Sequence, residues 1–197
     1  AMLLPALNKA REKSRQIACI NHLKQLGNVT IMYSMDFSDW LPLGYNYTPV
    51  PVYWSRLLSD NGYLPRNWTY VQNNRSVLRP AYLYCPGNQY KYIDNAYTSY
   101  GYNQYLLGNK ASEGTSDLNV KISSTTPKNV LYMDRFTGGG PRFSLSGSTI
   151  INTGVCHSAG TNIFRMDGSA SWIKVSPATL IDGRFYTANA NEWLMPV

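Results

Sequence analysis

Cys19, Leu23, Leu26, Thr30, Tyr33 and Phe37 recur at steps of four, three, four, three and four, with Ile20, Gly27 and Ile31 flanking the same side. A helix gathers such positions on one face, so this stretch has one packed side and one wet side. Asn8 to Gln16, just upstream, is a strong helix-forming segment but polar nearly all round, Ala10 excepted. Before it, Ala1 to Leu7 is apolar. The three regimes join without a break and predict one helix from about Leu3 to about Phe37. Its C-terminal half, from near residue 17, packs on a body, and its N-terminal half projects. Asp36-Phe37-Ser38-Asp39 closes it, with Pro42 as the breaker. Asp36 and Asp39 read as helix-ending residues rather than metal ligands.

Helices usually announce their start with Ser, Thr, Asp or Asn, and no such cap stands before the apolar run. The run therefore reads as the second half of a longer helix whose apolar first half lies upstream. Pro5 then kinks that helix, or marks a first turn. The chain as given contains no apolar run of about 18 residues, the length that spans a bilayer. This divides the chain into a stem helix, residues 1–40, and a globular body, residues 41–197, which together make one domain.

The formal charge of +7 raises nucleic acid as a partner, and its placement argues against one. Lys9, Arg11, Lys13, Arg15 and Lys24 face Glu12 alone in residues 1–35, a net +4, which leaves only +3 for the whole body. Nucleic-acid binding would show as a basic patch with interleaved aromatics on the body, and none is visible. The 16 Tyr, 5 Trp, 15 Gly and 11 Pro favour a strand-rich, loop-rich body over a helical bundle.

Residues 43–126 read as irregular, with a short helix at 52–58 ended by Asn61-Gly62 and strand-like runs at 82–85 and 99–103. Residues 127–197 are the clearer β part, beginning with a strand at 129–134. Gly138-Gly139-Gly140-Pro141 reads as a turn or loop and lacks the Lys-Ser/Thr of a phosphate loop. Asp167-Gly168 between two apolar runs predicts a hairpin with a two-residue type I′ turn. That turn sets Ile163 opposite Trp172 and Phe164 opposite Ser171, with the hairpin central in its sheet.

Catalytic signals are weak. Cys156-His157-Ser158 places a thiol, an imidazole and a hydroxyl side by side, but nucleophile and base usually come from separate segments. The carboxylates show no calcium-loop spacing, and no Cys-x-x-Cys or His/Cys cluster points to zinc. The expectation is no enzyme, no cofactor and no metal site. Three cysteines, Cys19, Cys85 and Cys156, allow three single pairings and leave one thiol over. The Tyr/Trp-rich middle reads as core packing, or as a stacking surface for sugars.

Leu3-Leu4-Pro5-Ala6-Leu7-Asn8-Lys9-Ala10-Arg11-Glu12-Lys13, followed by Cys19-Ile20-Asn21-His22-Leu23-Lys24-Gln25-Leu26-Gly27, resembles the stem helix of bacterial type IV pilin-like proteins and type II secretion pseudopilins. Pro5 resembles the proline that interrupts that stem. His157, nine residues and then Asp167-Gly168 resemble the His-x9-Asp-Gly signature of a prepilin-type group, as do Cys85-Pro86 and Ser99-Tyr100-Gly101-Tyr102-Asn103. Ser169 stands where members often carry His, and a Gly-Phe-Thr-Leu-Ile-Glu-like start is not present.

The resemblance implies an α+β, pilin-like fold, with the long helix packed on a C-terminal antiparallel sheet and an irregular insertion between them. It implies a structural subunit of a pilus or secretion pseudopilus, membrane-anchored through its N-terminal helix before assembly. Leu3, Leu4, Pro5 and Leu7 would be the assembly stem, and His157, Asp167 and Gly168 the signature hairpin. Partners would be other pilin-like subunits, the inner membrane and the assembly machinery. The body would lie in the periplasm or on an extracellular filament. The resemblance also implies a Cys19–Cys85 disulfide with Cys156 free, the alternative being three buried thiols. A cell-surface carbohydrate-binding or adhesion module is the competing reading.

Overall fold

A computed structural model of the chain describes residues 3–43, 45–46, 52–65, 68–71, 75–78, 81–87, 98–103, 106, 109–110, 120–134, 142–146, 149–151, 156–174, 180–181 and 184–186. Gly138 to Pro141 lies outside them. Helix α1 spans Leu3–Asp36. Strands β1 (Tyr45–Asn46) and β2 (Val52–Tyr53) precede a short helix, α2 (Trp54–Asp60). Strands β3 (Trp68–Val71) and β4 (Arg75–Leu78) pair as an antiparallel hairpin. A 3-10 turn at Ala81–Leu83 leads towards β5 (Tyr100–Asn103) and β6 (Asn109–Lys110), the latter pairing with β1. A second 3-10 turn, Ile122–Ser124, precedes β7 (Val130–Asp134), β8 (Arg142–Ser146) and β9 (Thr149–Ile151). Strands β10 (Gly160–Arg165), β11 (Ala170–Lys174), β12 (Leu180–Ile181) and β13 (Arg184–Tyr186) follow.

The fold is α+β. An antiparallel block in the order β11-β10-β7-β5 receives α1 on one face. Strand β8 joins β5 in parallel and extends the sheet to eight strands, β11-β10-β7-β5-β8-β9-β13-β12. The irregular middle therefore supplies a central strand: β5 is buried along its whole length.

The helix stripe packs as its spacing requires. Cys19, Leu23, Leu26 and Thr30 are fully buried and Tyr33 nearly so. Phe37, just past the helix, is 39% exposed and stacks on Tyr33 at 4.1 Å. Across the sheet, Tyr102, Tyr132, Phe164 and Ala170 stand in one row. Thr30 donates to the Leu26 carbonyl, so Tyr132 Oη donates to Thr30 Oγ1 at 2.7 Å. The Phe164 ring fills the space a Cβ at Gly27 would take, which lets helix and sheet approach closely. Trp54 of α2 closes this core against Tyr102 and Tyr132, at ring separations of 6.0 and 5.0 Å. Each large ring buried this way contributes about 1.5–3 kcal/mol.

Several sequence expectations are corrected. A left-handed turn ends α1, not Pro42: Ser38 and Asp39 have φ of 54° and 72°, and the Asp39 amide reaches back to the Ser34 carbonyl at 2.8 Å. Asp36 accepts a hydrogen bond from Tyr63 Oη, and Asp39 accepts one from the Ser123 amide at 3.0 Å. Tyr82 to Cys85 is not a strand but the end of a 3-10 turn and a bend. Its aromatics, Tyr82 and Tyr84, pack half-buried on the common core, and the turn contacts α1; such packing decides β propensity.

The β10–β11 hairpin is offset by one residue from the expected register, with Ile163 opposite Ser171 and Phe164 opposite Ala170. Its loop is a turn closed by Gly168 N–H to the Arg165 carbonyl at 3.0 Å, followed by Gly168 at φ 83°. Asp167 is not left-handed; its carboxylate accepts the Ser169 amide at 2.8 Å, which favours the longer loop. Nor is the hairpin central, since β11 ends the sheet. Helix α1 packs against β11 as well as β10.

Candidate functional site

The packed face of α1 does not stop at Cys19. Continuing back along the same helical steps, Gln16 is 4% exposed and Glu12 is half-buried. Residues 4–11 are exposed, so the projecting segment ends at Arg11 rather than near residue 16. What replaces apolar contact along the Glu12–Cys19 stretch is a polar and sulfur cluster.

Its centre is His157, whose ring is completely buried. Ser158 and Ala159 follow at φ 47° and 58°, and the Gly160 amide donates to the His157 carbonyl at 2.9 Å. Two consecutive left-handed residues other than glycine cost of order 1–3 kcal/mol each. The turn they build starts β10 and aims the imidazole away from the hairpin, towards α1. Trp172 Nε1 also donates to the His157 carbonyl, at 2.9 Å. The backbone of His157 thus braces the base of the hairpin while its ring serves the helix.

One ring nitrogen, Nδ1, lies 3.0 Å from Glu12 Oε1. The other, Nε2, lies 3.0 Å from Cys85 Sγ. Burial lowers the His157 pKa from its ordinary value, only partly offset by Glu12. The neutral ring therefore donates Nδ1–H to the Glu12 carboxylate and turns the Nε2 lone pair to the sulfur. Cys19 of α1 and Cys85 are joined as a disulfide, with a Cα separation of 5.3 Å. The Cys85-Pro86-Gly87 loop wraps the imidazole so closely that a Cβ at Gly87 would overlap the ring. Three distant segments, α1, the loop at 85–87 and the turn before β10, meet around one imidazole.

Beside this cluster lies a second buried group. Asp134 of β7 is fully buried, and burial pushes its carboxyl up to about 7, against the Asn162 amide that donates to it at 2.8 Å. Tyr100 Oη pairs with His22 Nδ1 of α1 at 3.3 Å. Cys156 is the free thiol. Burial, with Asp134 and Glu12 adding negative charge, pushes its pKa well up, which leaves it protonated and unreactive.

The signature residues fall at two separate places. His157 precedes β10 and Asp167-Gly168 follows it, so the nine-residue spacing is the length of that strand with its flanking turns. Asp167 shapes the hairpin tip, and His157 anchors the stem. Of the assembly residues, Leu4 and Leu7 are 67% and 56% exposed, Pro5 sits in the first described turn, and Leu3 begins the described helix. No helix among the described residues is long and apolar enough to cross a membrane.

The sequence does not single out Glu12 or Gly87, which hold the imidazole, nor the buried Gln16. Glu12 and Gln16 carry the 3.6-residue spacing of the stripe but not its apolarity. Comparison with family models, with curated proteins and with solved structures returned no match.

Proposed function

We propose that the chain is a structural, pilin-like subunit of a type IV pilus-like or type II secretion pseudopilus filament in the bacterial cell envelope. The observation that carries this reading is the division of α1 at Arg11–Glu12. From Glu12 onward the helix is fastened to the body by a disulfide to the 85–87 loop, a carboxylate contact with the His157 imidazole and a buried stripe. Before Glu12 it leaves the body, with Leu4 and Leu7 open to solvent. An apolar segment held rigidly clear of its own body buries its side chains against lipid or against other copies of itself. Each leucine so buried contributes about 1.5–3 kcal/mol. The fastened half would carry load from stem to body.

Among the described residues, Trp54, Tyr100, Tyr102 and Tyr132 are fully buried as core and so are not available to stack on a sugar. Leu4→Glu with Leu7→Glu in the full-length protein, expressed in its source bacterium, tests the filament reading. The expected result is loss of the subunit from sheared or detergent-extracted filaments while the body keeps its thermal stability. Unchanged incorporation would overturn it.

A further inference from the structure

We propose that Cys19, Cys85 and His157 form a binding site for a thiophilic cation, Zn2+ or Cu+, which opens when the Cys19–Cys85 disulfide is reduced. The two sulfurs and an imidazole nitrogen lie within 4.8 Å of one another and are all buried. Donors of a tetrahedral zinc site stand about 3.3–3.8 Å apart, as follows from Zn–S of about 2.3 Å and Zn–N of about 2.0–2.1 Å. Breaking the S–S bond frees the two sulfurs to move apart by side-chain rotation towards that spacing.

The second reason is the orientation of the imidazole. Ligating histidines commonly give their other N–H to a carboxylate, which fixes the tautomer and raises the basicity of the ligating nitrogen. Glu12 holds Nδ1 in that way, while Nε2 faces Cys85 Sγ. The close approach of Gly87 to the ring fixes the imidazole plane from a third side. The donor set of two thiolates and an imidazole suits soft and borderline cations and discriminates against Mg2+ and Ca2+. Two thiolates cancel the charge of Zn2+, and three donors complete the low-coordinate shell that Cu+ accepts.

The exchange balances. A dithiol reductant transfers two electrons and two protons to the disulfide and leaves as its own cyclic disulfide. The S–S bond breaks and two S–H bonds form. The cation then takes both sulfurs and Nε2, and the two thiol protons pass to solvent. Either state staples α1 to the 85–87 loop, covalently when oxidised and through metal when reduced. The site stands independently of the filament reading.

The full chain, reduced by a phosphine in metal-free buffer, is titrated with Zn2+, Cu+, Mg2+ and, as a spectroscopic probe, Co2+. The reduced chain is expected to bind about one Zn2+ or Cu+, with a thiolate-to-cobalt charge-transfer band for Co2+, and the oxidised chain to bind none. Cys19→Ser and Cys85→Ser each abolish binding, whereas Cys156→Ser preserves it. Glu12→Gln weakens it by about 10–100-fold. If reduction alone unfolds the chain, Zn2+ must restore its far-ultraviolet helix signal. Equal binding by the oxidised chain, binding that survives Cys85→Ser, Mg2+ binding at the same stoichiometry, or failure of Zn2+ and Cu+ to bind or refold the reduced chain would each overturn the site.

Discussion

Glu12 and His157 are 145 residues apart and meet at 3.0 Å. One belongs to the last turn of α1 that still touches the body; the other opens the strand at the far side of the chain. The contact marks where the stem leaves its support. Removing the carboxylate leaves a buried imidazole N–H without its acceptor, at a cost of about 1–2 kcal/mol. Glu12→Ala should therefore lower unfolding stability by that amount, Glu12→Gln by clearly less, and Arg11→Ala, one residue outside the packed face, by under about 0.5 kcal/mol. Urea denaturation of the three variants checks the order. Equal effects of Glu12→Ala and Arg11→Ala would mean that the helix is not held at this point.

Gly27 poses a contest between two effects. Helix propensity alone makes Gly27→Ala stabilising by about 0.8–1 kcal/mol. The Phe164 ring occupies the position of the new methyl, and overpacking costs about 1–3 kcal/mol. The net expectation is destabilisation of up to about 2 kcal/mol, taking both effects together. Paired with Phe164→Leu, the Gly27→Ala penalty should shrink or reverse, giving a coupling of at least about 1 kcal/mol in a double-mutant cycle. Additive effects would contradict the packing described.

Asp134 gives the protein a measurable pH dependence. Its folded value, about 7, lies above the ordinary 3.8, so the folded state keeps a proton that the unfolded chain has released. The resulting stability is complete below about pH 4, declines as pH rises, and is gone above about pH 7. Asp134→Asn retains an acceptor for the Asn162 amide and has no such titration. The stability difference between variant and wild type should therefore swing in favour of the variant by up to about 4 kcal/mol between pH 4 and pH 7. A difference that is flat across this window would place a charged, compensated carboxylate at position 134.

The sequence carried the helix because Cys19, Leu23, Leu26 and Thr30 are either apolar or small enough to pack, and their spacing has only one explanation. It did not carry Glu12, because a polar residue at a stripe position looks the same whether it meets solvent or a buried imidazole. Nothing in the linear order places Cys85 beside His157; that meeting depends on a 3-10 turn whose aromatic residues imitate a strand. The Cys19–Cys85 pairing came from resemblance rather than from the residues themselves. The hairpin was legible as a hairpin, yet its register turned on whether Asp167 adopts a left-handed conformation or caps the Ser169 amide, a choice of one hydrogen bond.

The central claim, that α1 projects an apolar stem for contact with other copies, is tested most directly by cross-linking through position 7. Leu7→Cys in the full-length protein, treated in intact cells with a short thiol-specific bifunctional reagent, should give a ladder of dimers and higher oligomers. A cysteine at Lys24, on the wet side of the fastened half, should give far fewer. A protein that stays monomeric through position 7, or links equally well through both positions, would contradict the account.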